Sequence, residues 1–316
     1  MNDSRIRFIA VVYLSFFATI LQAQHTEEFV HVKVQRLNDS YIDVYHHKPT
    51  GDVKLPVVIF CQGSGYNSTT KEFLGLLQPF NTKAVGLVIE KQGVKFADKG
   101  DTLRDDFIQN NTVHQQLYDY LRVLQYMRVN MRWWNGEVYV IGESEGGLLA
   151  GLLASFYPNV KAVAILSYGA GMNFGEAGAA SINLHKKAEG ATANEIETDI
   201  EAFKDTLNQI RKNPTYLKSY NGHQNTYAWW SSIMDLRLQN ALLDLTIPIY
   251  MAQGAQDLTA PPASARLLKE AFIRNKKSNL IYKEYPDYDH AFTDKINESH
   301  FTEVVTEAIK WLLEVK

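Results

Sequence analysis

The chain has 316 residues, 46% of them hydrophobic and 21% charged, with a formal net charge of −3. This is a globular composition with enough apolar material for one large core, and the length suits a single α/β domain. No Lys/Arg stripe stands out, which excludes a nucleic-acid footprint and leaves the scattered charges as a solvated surface.

The N-terminus reads as a processing signal. Arg5 and Arg7 precede an apolar run from Phe8 to Leu21 that only Ser15 and Thr19 interrupt. A run this short fits the hydrophobic part of a signal peptide better than a membrane span. Residues 1–23 are therefore expected to be a signal peptide, cut ahead of Gln24. The alternative is an uncleaved anchor. Cleavage implies an exported protein, periplasmic or secreted, with no stable membrane insertion afterwards. The only cysteine is Cys61, so no intramolecular disulfide can form and core packing must hold the protein together. Its position at the end of an apolar run predicts burial.

Past the signal, Phe29 to Arg36 alternates in polarity, as does Tyr41 to Tyr45, with Asn38-Asp39-Ser40 between them as a turn: an N-terminal hairpin. Leu55 to Phe60 is continuously apolar and ends in Cys61-Gln62-Gly63-Ser64-Gly65, the pattern of a strand buried on both faces. Further strands are predicted at Ala84 to Ile89, Glu137 to Ile141, Ala162 to Leu166, Ile247 to Met251 and Leu280 to Tyr282. Helical spacing separates them, at Leu117 to Met127 and Leu148 to Leu153, and closes the chain at Phe301 to Leu313. Such alternation predicts an α/β fold, a mainly parallel central sheet with helices on both faces.

One segment breaks this rhythm. From about 171 to 245 no strand is evident, while Ile196, Ile200, Phe203, Leu207 and Ile210 form a helical stripe. Asn194 with Glu197 reads as its capping signal and Pro214 as its end. Gly169 to Ala180, rich in Gly and Ala, reads as a flexible entry. The segment is too long for a plain connection and is expected to be a helical cap. Its Trp229 and Trp230 are candidates for the wall of a substrate pocket.

The chemistry centres on Gly142-Glu143-Ser144-Glu145-Gly146, a G-x-S-x-G string between an apolar strand and a helix. A serine on such a turn projects its hydroxyl while free N–H groups at the helix start face a developing oxyanion. It needs a base, and the base an orienting acid, in chain order Ser, acid, His. His290 follows the last strand, in Tyr285-Pro286-Asp287-Tyr288-Asp289-His290, and is the candidate base; His185 and His223 fall in the insertion and His300 heads the final helix. Asp257, just past a strand in Gly254-Ala255-Gln256-Asp257, is the candidate acid. Asp244 lies at the wrong strand end, and Asp287 and Asp289 are too near His290 in sequence to reach around to its Nδ1. The oxyanion donors are expected to be the backbone N–H of Glu145 and that of Ser64, with Gly63 as competitor. Glutamates on both sides of Ser144 offer a way to bind a substrate amine. His46-His47 is a poor metal site because strand neighbours face opposite ways. No paired cysteines, H-E-x-x-H or G-x-G-x-x-G before a helix occurs, so no metal or cofactor is implied.

These motifs resemble the α/β-hydrolase superfamily over essentially all of the mature sequence. Gly-x-Ser-x-Gly-Gly, Gly254-x-x-Asp257 and Asp289-His290 are similar to its esterase and dienelactone-hydrolase-like members and to prolyl-oligopeptidase-like hydrolase domains. Gln62-Gly63 departs from the His-Gly of many members, which puts that loop's side-chain hydrogen bonds in question, and Glu90-Lys91-Gln92-Gly93 stands where many carry an acidic-x-Arg-Gly motif. The resemblance implies a serine hydrolase acting on a small-molecule ester, with a short peptide or amide as the second possibility. A hydrolase-fold binding protein without turnover is the rival reading, opposed by the complete Ser, Asp, His set.

Overall fold

The computed structural model describes residues 29–100, 103–220 and 225–315. The expected signal peptide lies outside these residues. No helix among the described residues is long and apolar enough to cross a membrane.

Unbroken apolar runs suit strands covered on both sides, and that is where they are found. In β3 (Leu55–Cys61) the residues Val57, Ile59 and Cys61 join one core and Val58 and Phe60 another, all essentially inaccessible. The same division runs through β5 (Trp134–Glu143), β6 (Val160–Leu166) and β7 (Ile249–Gly254): Val140, Ile165 and Met251 face one way, Ile141, Ala164 and Ala252 the other. With β1 (Phe29–Gln35), β2 (Tyr41–His47), β4 (Val85–Ile89) and β8 (Leu280–Tyr285) they form one eight-stranded sheet, in the order β1-β2-β4-β3-β5-β6-β7-β8. The N-terminal hairpin is antiparallel and joins β4 antiparallel; every later pairing is parallel.

Helices α1 (Thr70–Leu77) and α10 (Phe301–Glu314) cover one face. On α10, Val304, Val305, Ala308, Ile309 and Leu312 repeat at helical spacing and are all buried. After the short α2 (Asp105–Asn110), α3 (Val113–Asn130) and α4 (Glu145–Phe156) take the other face, together with α8 (Leu238–Asp244) and α9 (Pro262–Arg274). A buried bidentate pair, Arg36 Nη2 to Asp119 Oδ2 at 2.6 Å and Nε to Oδ1 at 2.8 Å, ties the hairpin to α3. His46 and His47 are both buried, His46 against Trp133 and His47 against Phe29, and burial pushes the His47 imidazole down to about 4.

Between β6 and β7 the chain forms α5 (Phe174–Ala188), α6 (Ala193–Lys212), α7 (Tyr227–Ile233) and α8. Their own small core gathers Phe203, Leu207, Ile210, Tyr227 and Met234. Two sequence expectations need correcting here. The Gly- and Ala-rich stretch is not a loose entry: most of it is α5, and its small residues are contact points. A Cβ on Gly178 would sit 2.7 Å from the Phe203 ring, so glycine lets α5 lie directly on α6. The cap of α6 is Thr192 with Glu195, a complete capping box, two residues ahead of the expected Asn194 and Glu197. Asn194 is already inside the first turn, where its carbonyl accepts from the Thr198 hydroxyl at 2.8 Å.

Candidate active site

Parallel strands end on one edge of a sheet. Here Cys61 lies opposite Gly142, Glu143 opposite Leu166, Leu166 opposite Ala252 and Gly254 opposite Tyr285. The segments that follow β3, β5, β7 and β8 therefore emerge side by side, and they carry Ser64, Ser144, Asp257 and His290.

Ser144 is the single residue between β5 and α4. Its backbone has φ 54° and ψ −124°, a left-handed conformation that L residues avoid unless their surroundings enforce it. Two backbone hydrogen bonds hold the turn: Ser144 N–H donates to the Leu166 carbonyl at 2.9 Å, and Gly147 N–H to the Ser144 carbonyl at 2.8 Å. Gly146 explains the motif sterically, since a Cβ there would lie 1.9 Å from the Cys61 carbonyl oxygen; the start of α4 packs backbone to backbone on β3.

The three side chains meet. His290 Nε2 is 3.2 Å from Ser144 Oγ, and His290 Nδ1 is 2.8 Å from Asp257 Oδ2. The Asp257 carboxylate is fully inaccessible and saturated. Oδ1 accepts from the backbone N–H groups of Thr259 at 2.8 Å and Ala260 at 2.7 Å, and Oδ2 also accepts from Gln253 Nε2 at 2.8 Å. Such a carboxylate cannot swing away, so it fixes the imidazole ring. Burial alone would depress the His290 imidazolium, but the hydrogen bond and charge of Asp257, with Glu143 and Asp289 behind it, outweigh burial and raise it above its ordinary value. Asp287 pairs with Lys295, and Asp289 accepts from the N–H groups of Ala291 and Thr293; neither reaches Nδ1.

The loop after β3, whose side-chain hydrogen bonds Gln62 puts in question, is braced by a network of its own. Gln62 is buried, its amide donating to the Ile89 carbonyl at 3.0 Å and to Glu90 Oε2 at 3.2 Å while its oxygen accepts from Thr69. Lys91 Nζ is bonded to the carbonyls of Gly63 and Gly65. Gln62, Glu90 and Lys91 thus brace the loop together, and burial raises Glu90 and lowers Lys91 from their ordinary values. Ser64 borders the same cavity as Ser144 and His290.

The two flanking glutamates have separate fates. Glu145 is buried, its carboxylate accepting from Gln116 Nε2 at 2.7 Å and from the Trp229 indole N–H at 3.2 Å. It is consumed inside the protein and cannot greet a substrate amine. Glu143 accepts no side-chain hydrogen bond among the described residues, and its Oε1 lies 3.9 Å from His290 Nε2.

A cavity of about 400 Å³ opens above Ser144 and His290. Tyr168 and Met172 line it from the loop after β6, Phe174, Ala177, Gly178 and Ser181 from α5, and Trp230 from α7. The insertion therefore forms part of the wall. Trp230 lies in it as expected; Trp229 does not, being 1% exposed and turned towards Glu145. Successive helical residues point about 100° apart, so one of an adjacent pair faces the cavity and the other the core. Among the described residues one group has the donor spacing of a cation site: Asp294, Glu298 and His300, at the surface. Both His300 ring nitrogens are already engaged, with Asp294 at 3.3 Å and Glu303 at 3.1 Å.

An eight-stranded, mostly parallel sheet in this order, with its serine on a strand-to-helix turn, is the α/β-hydrolase fold. The chain resembles Est1E from Butyrivibrio proteoclasticus with a TM-score of 0.59 at 18% identity, over 89% of this chain and 96% of that one. Acetyl xylan esterase 1 from Thermoanaerobacterium sp. JW/SL YS485 gives 0.55 at 17% identity, over 90% and 83%. Acylaminoacyl peptidase from Pyrococcus horikoshii gives 0.60 at 13% identity, over 92% of this chain but 42% of that one. No protein-family model and no curated protein matches the chain by sequence.

Proposed function

We propose that the protein is a serine hydrolase that cleaves a carboxylic ester through an acyl-enzyme. The observation that carries this is the hydrogen-bonded line from Ser144 Oγ through His290 to the buried Asp257, set on a strained turn that opens into a cavity. In the first half-reaction His290 Nε2 takes the Ser144 proton as Oγ attacks the carbonyl carbon. The oxyanion forms beside the N–H groups of Glu145 and Ser64, and the leaving oxygen departs with the proton from Nε2. Water then enters, gives a proton to Nε2 and releases the acid, and Ser144 recovers its proton. Asp257 holds the imidazolium in place and stays ionised throughout.

Extent of likeness favours an ester over a peptide: the chain spans 83% of acetyl xylan esterase 1 but 42% of the acylaminoacyl peptidase. The apolar run from Phe8 to Leu21 supports export with cleavage ahead of Gln24. The purified protein should react covalently with a fluorophosphonate at Ser144 and hydrolyse p-nitrophenyl esters faster than aminoacyl-anilides. Ser144→Ala should lose the label and roughly 10⁴-fold or more in turnover. Full turnover in that variant would overturn the mechanism, and a preference for anilides would overturn the ester assignment.

A further inference from the structure

A second cavity, of about 480 Å³, adjoins the loop after β3. It shares Ser64 with the first and is bounded by Gly63, Glu143, Glu72, Phe73, Leu76 and Phe301. Its chemistry is unlike that of the first. The Phe73 and Phe301 rings, 5.9 Å apart and tilted, stand with Leu76 as apolar walls, and two carboxylates line it, the half-buried Glu143 and the exposed Glu72. Rings and carboxylates together are the surroundings that favour an alkylammonium ion.

The other carboxylates near Glu143 are already engaged. Asp257 is paired with His290, Glu145 with Gln116 and Trp229, and Glu90 is held by Ser68, Thr70 and Gln62. Lys91, the nearest cation besides His290, donates to two backbone carbonyls and shares its charge among Glu143, Glu145 and Glu90. Glu143, by contrast, has no hydrogen-bond donor among the described residues. Its position also assigns the side of the reaction. The general acid for the leaving group is His290 Nε2, so the leaving atom must come within hydrogen-bond reach of it, and the Glu143 carboxylate is 3.9 Å from that same nitrogen.

We infer that the second cavity is a leaving-group subsite for an alkylammonium-bearing alcohol, with Glu143 as its counter-ion and Glu72 at its mouth. This rests on the esterase reading of the site and names its substrate class. Burial raises the Glu143 carboxyl above its ordinary range, so the subsite should favour cations less as the pH falls and that group takes up a proton.

The test compares two esters of one shape, choline acetate and 3,3-dimethylbutyl acetate, which differ in a charged nitrogen against a neutral carbon. The wild-type protein should show kcat/KM for the choline ester higher by about tenfold or more, as expected for a cation held by carboxylate and rings. Glu143→Gln should bring the ratio near one whatever it does to the absolute rates. Leu76→Trp, which fills the cavity without touching Glu143, should slow both bulky esters relative to methyl acetate. A wild-type ratio of one, or a ratio that survives Glu143→Gln, would overturn the inference. A turnover-free reading separates it from the esterase proposal. Tetramethylammonium should bind Ser144→Ala by calorimetry and bind at least about tenfold more weakly once Glu143→Gln is added. Cation binding without cleavage of any ester would sink the esterase reading and with it the leaving-group role, leaving a cation site alone; cleavage without cation binding would overturn the subsite and leave the esterase reading.

Discussion

The sheet edge and the helical insertion meet at one cavity but are built on opposite principles. At the edge, position follows from backbone. The turn at Ser144 is held by main-chain bonds to Leu166 and by a glycine contact on Cys61, and Asp257 is fixed by the N–H groups of Thr259 and Ala260. In the insertion, position follows from side chains: Trp230 meets Phe174, Phe203 and Tyr220 edge to face, and Phe203, Tyr220 and Trp230 gather in a core of the insertion's own. The side chains that the proposed reaction uses sit on the backbone-held part, and the cavity wall supplied by the insertion sits on the part that side-chain changes can reshape.

That contrast can be broken at several points. The largest effect should come from Asp257→Asn, which keeps the backbone bonds but can hold His290 in the wrong tautomer; kcat/KM should fall by roughly 10⁴, with a modest loss of melting temperature because the new amide N–H groups face the Gln253 donor. Asp289→Asn should stay far closer to wild type, and a dead Asp289→Asn beside an active Asp257→Asn would reverse the assignment of the acid. Next come the paired tryptophans. Trp229→Ala removes a fully buried ring and strips Glu145 of a donor, so thermal or urea unfolding should show a loss of about 3–5 kcal/mol. Trp230→Ala should instead change the ratio of kcat/KM between short and long acyl esters, by several-fold up to about a hundredfold, as expected for pocket contacts. Equal losses on every acyl chain would make Trp230 a packing residue only. The smallest effect is a shift in pH. His290 must be neutral to accept the Ser144 proton, and its neighbours raise its pKa, so activity should fall on the acid side at a pH above the ordinary imidazole value of about 6.5. An acid limb below that value would mean that burial outweighs Asp257 and Glu143.

The same contrast decides what was legible in the sequence. Strands buried on both faces announce themselves as unbroken apolar runs, and a site at their ends is fixed by chain order; Ser144 and Asp257 could be singled out because each follows such a run, and His290 because it follows the last strand, the half-buried edge strand β8. The insertion writes its plan in long-range side-chain contacts, which leave a weaker trace. Nothing local distinguishes Trp229 from Trp230, nor reveals that Glu145 is taken by Gln116, 29 residues earlier, and Trp229, 84 later. Gly178 reads as a flexible residue until Phe203 is seen to occupy the space a Cβ would need. Gln62 in place of a histidine leaves the side-chain hydrogen bonds of the loop after β3 in question until Glu90 and Thr69 are found on its amide.

Cys61 has a use as a reporter. It is wholly inaccessible, burial pushes its thiol up to about 12, and its carbonyl is the surface on which Gly146 rests. A thiol-alkylating reagent has no other sulfhydryl to attack, since the chain holds one cysteine. The rate of alkylation under native conditions is therefore a clock for the opening of the central strand and, with it, for the transient dismantling of the turn that aims Ser144.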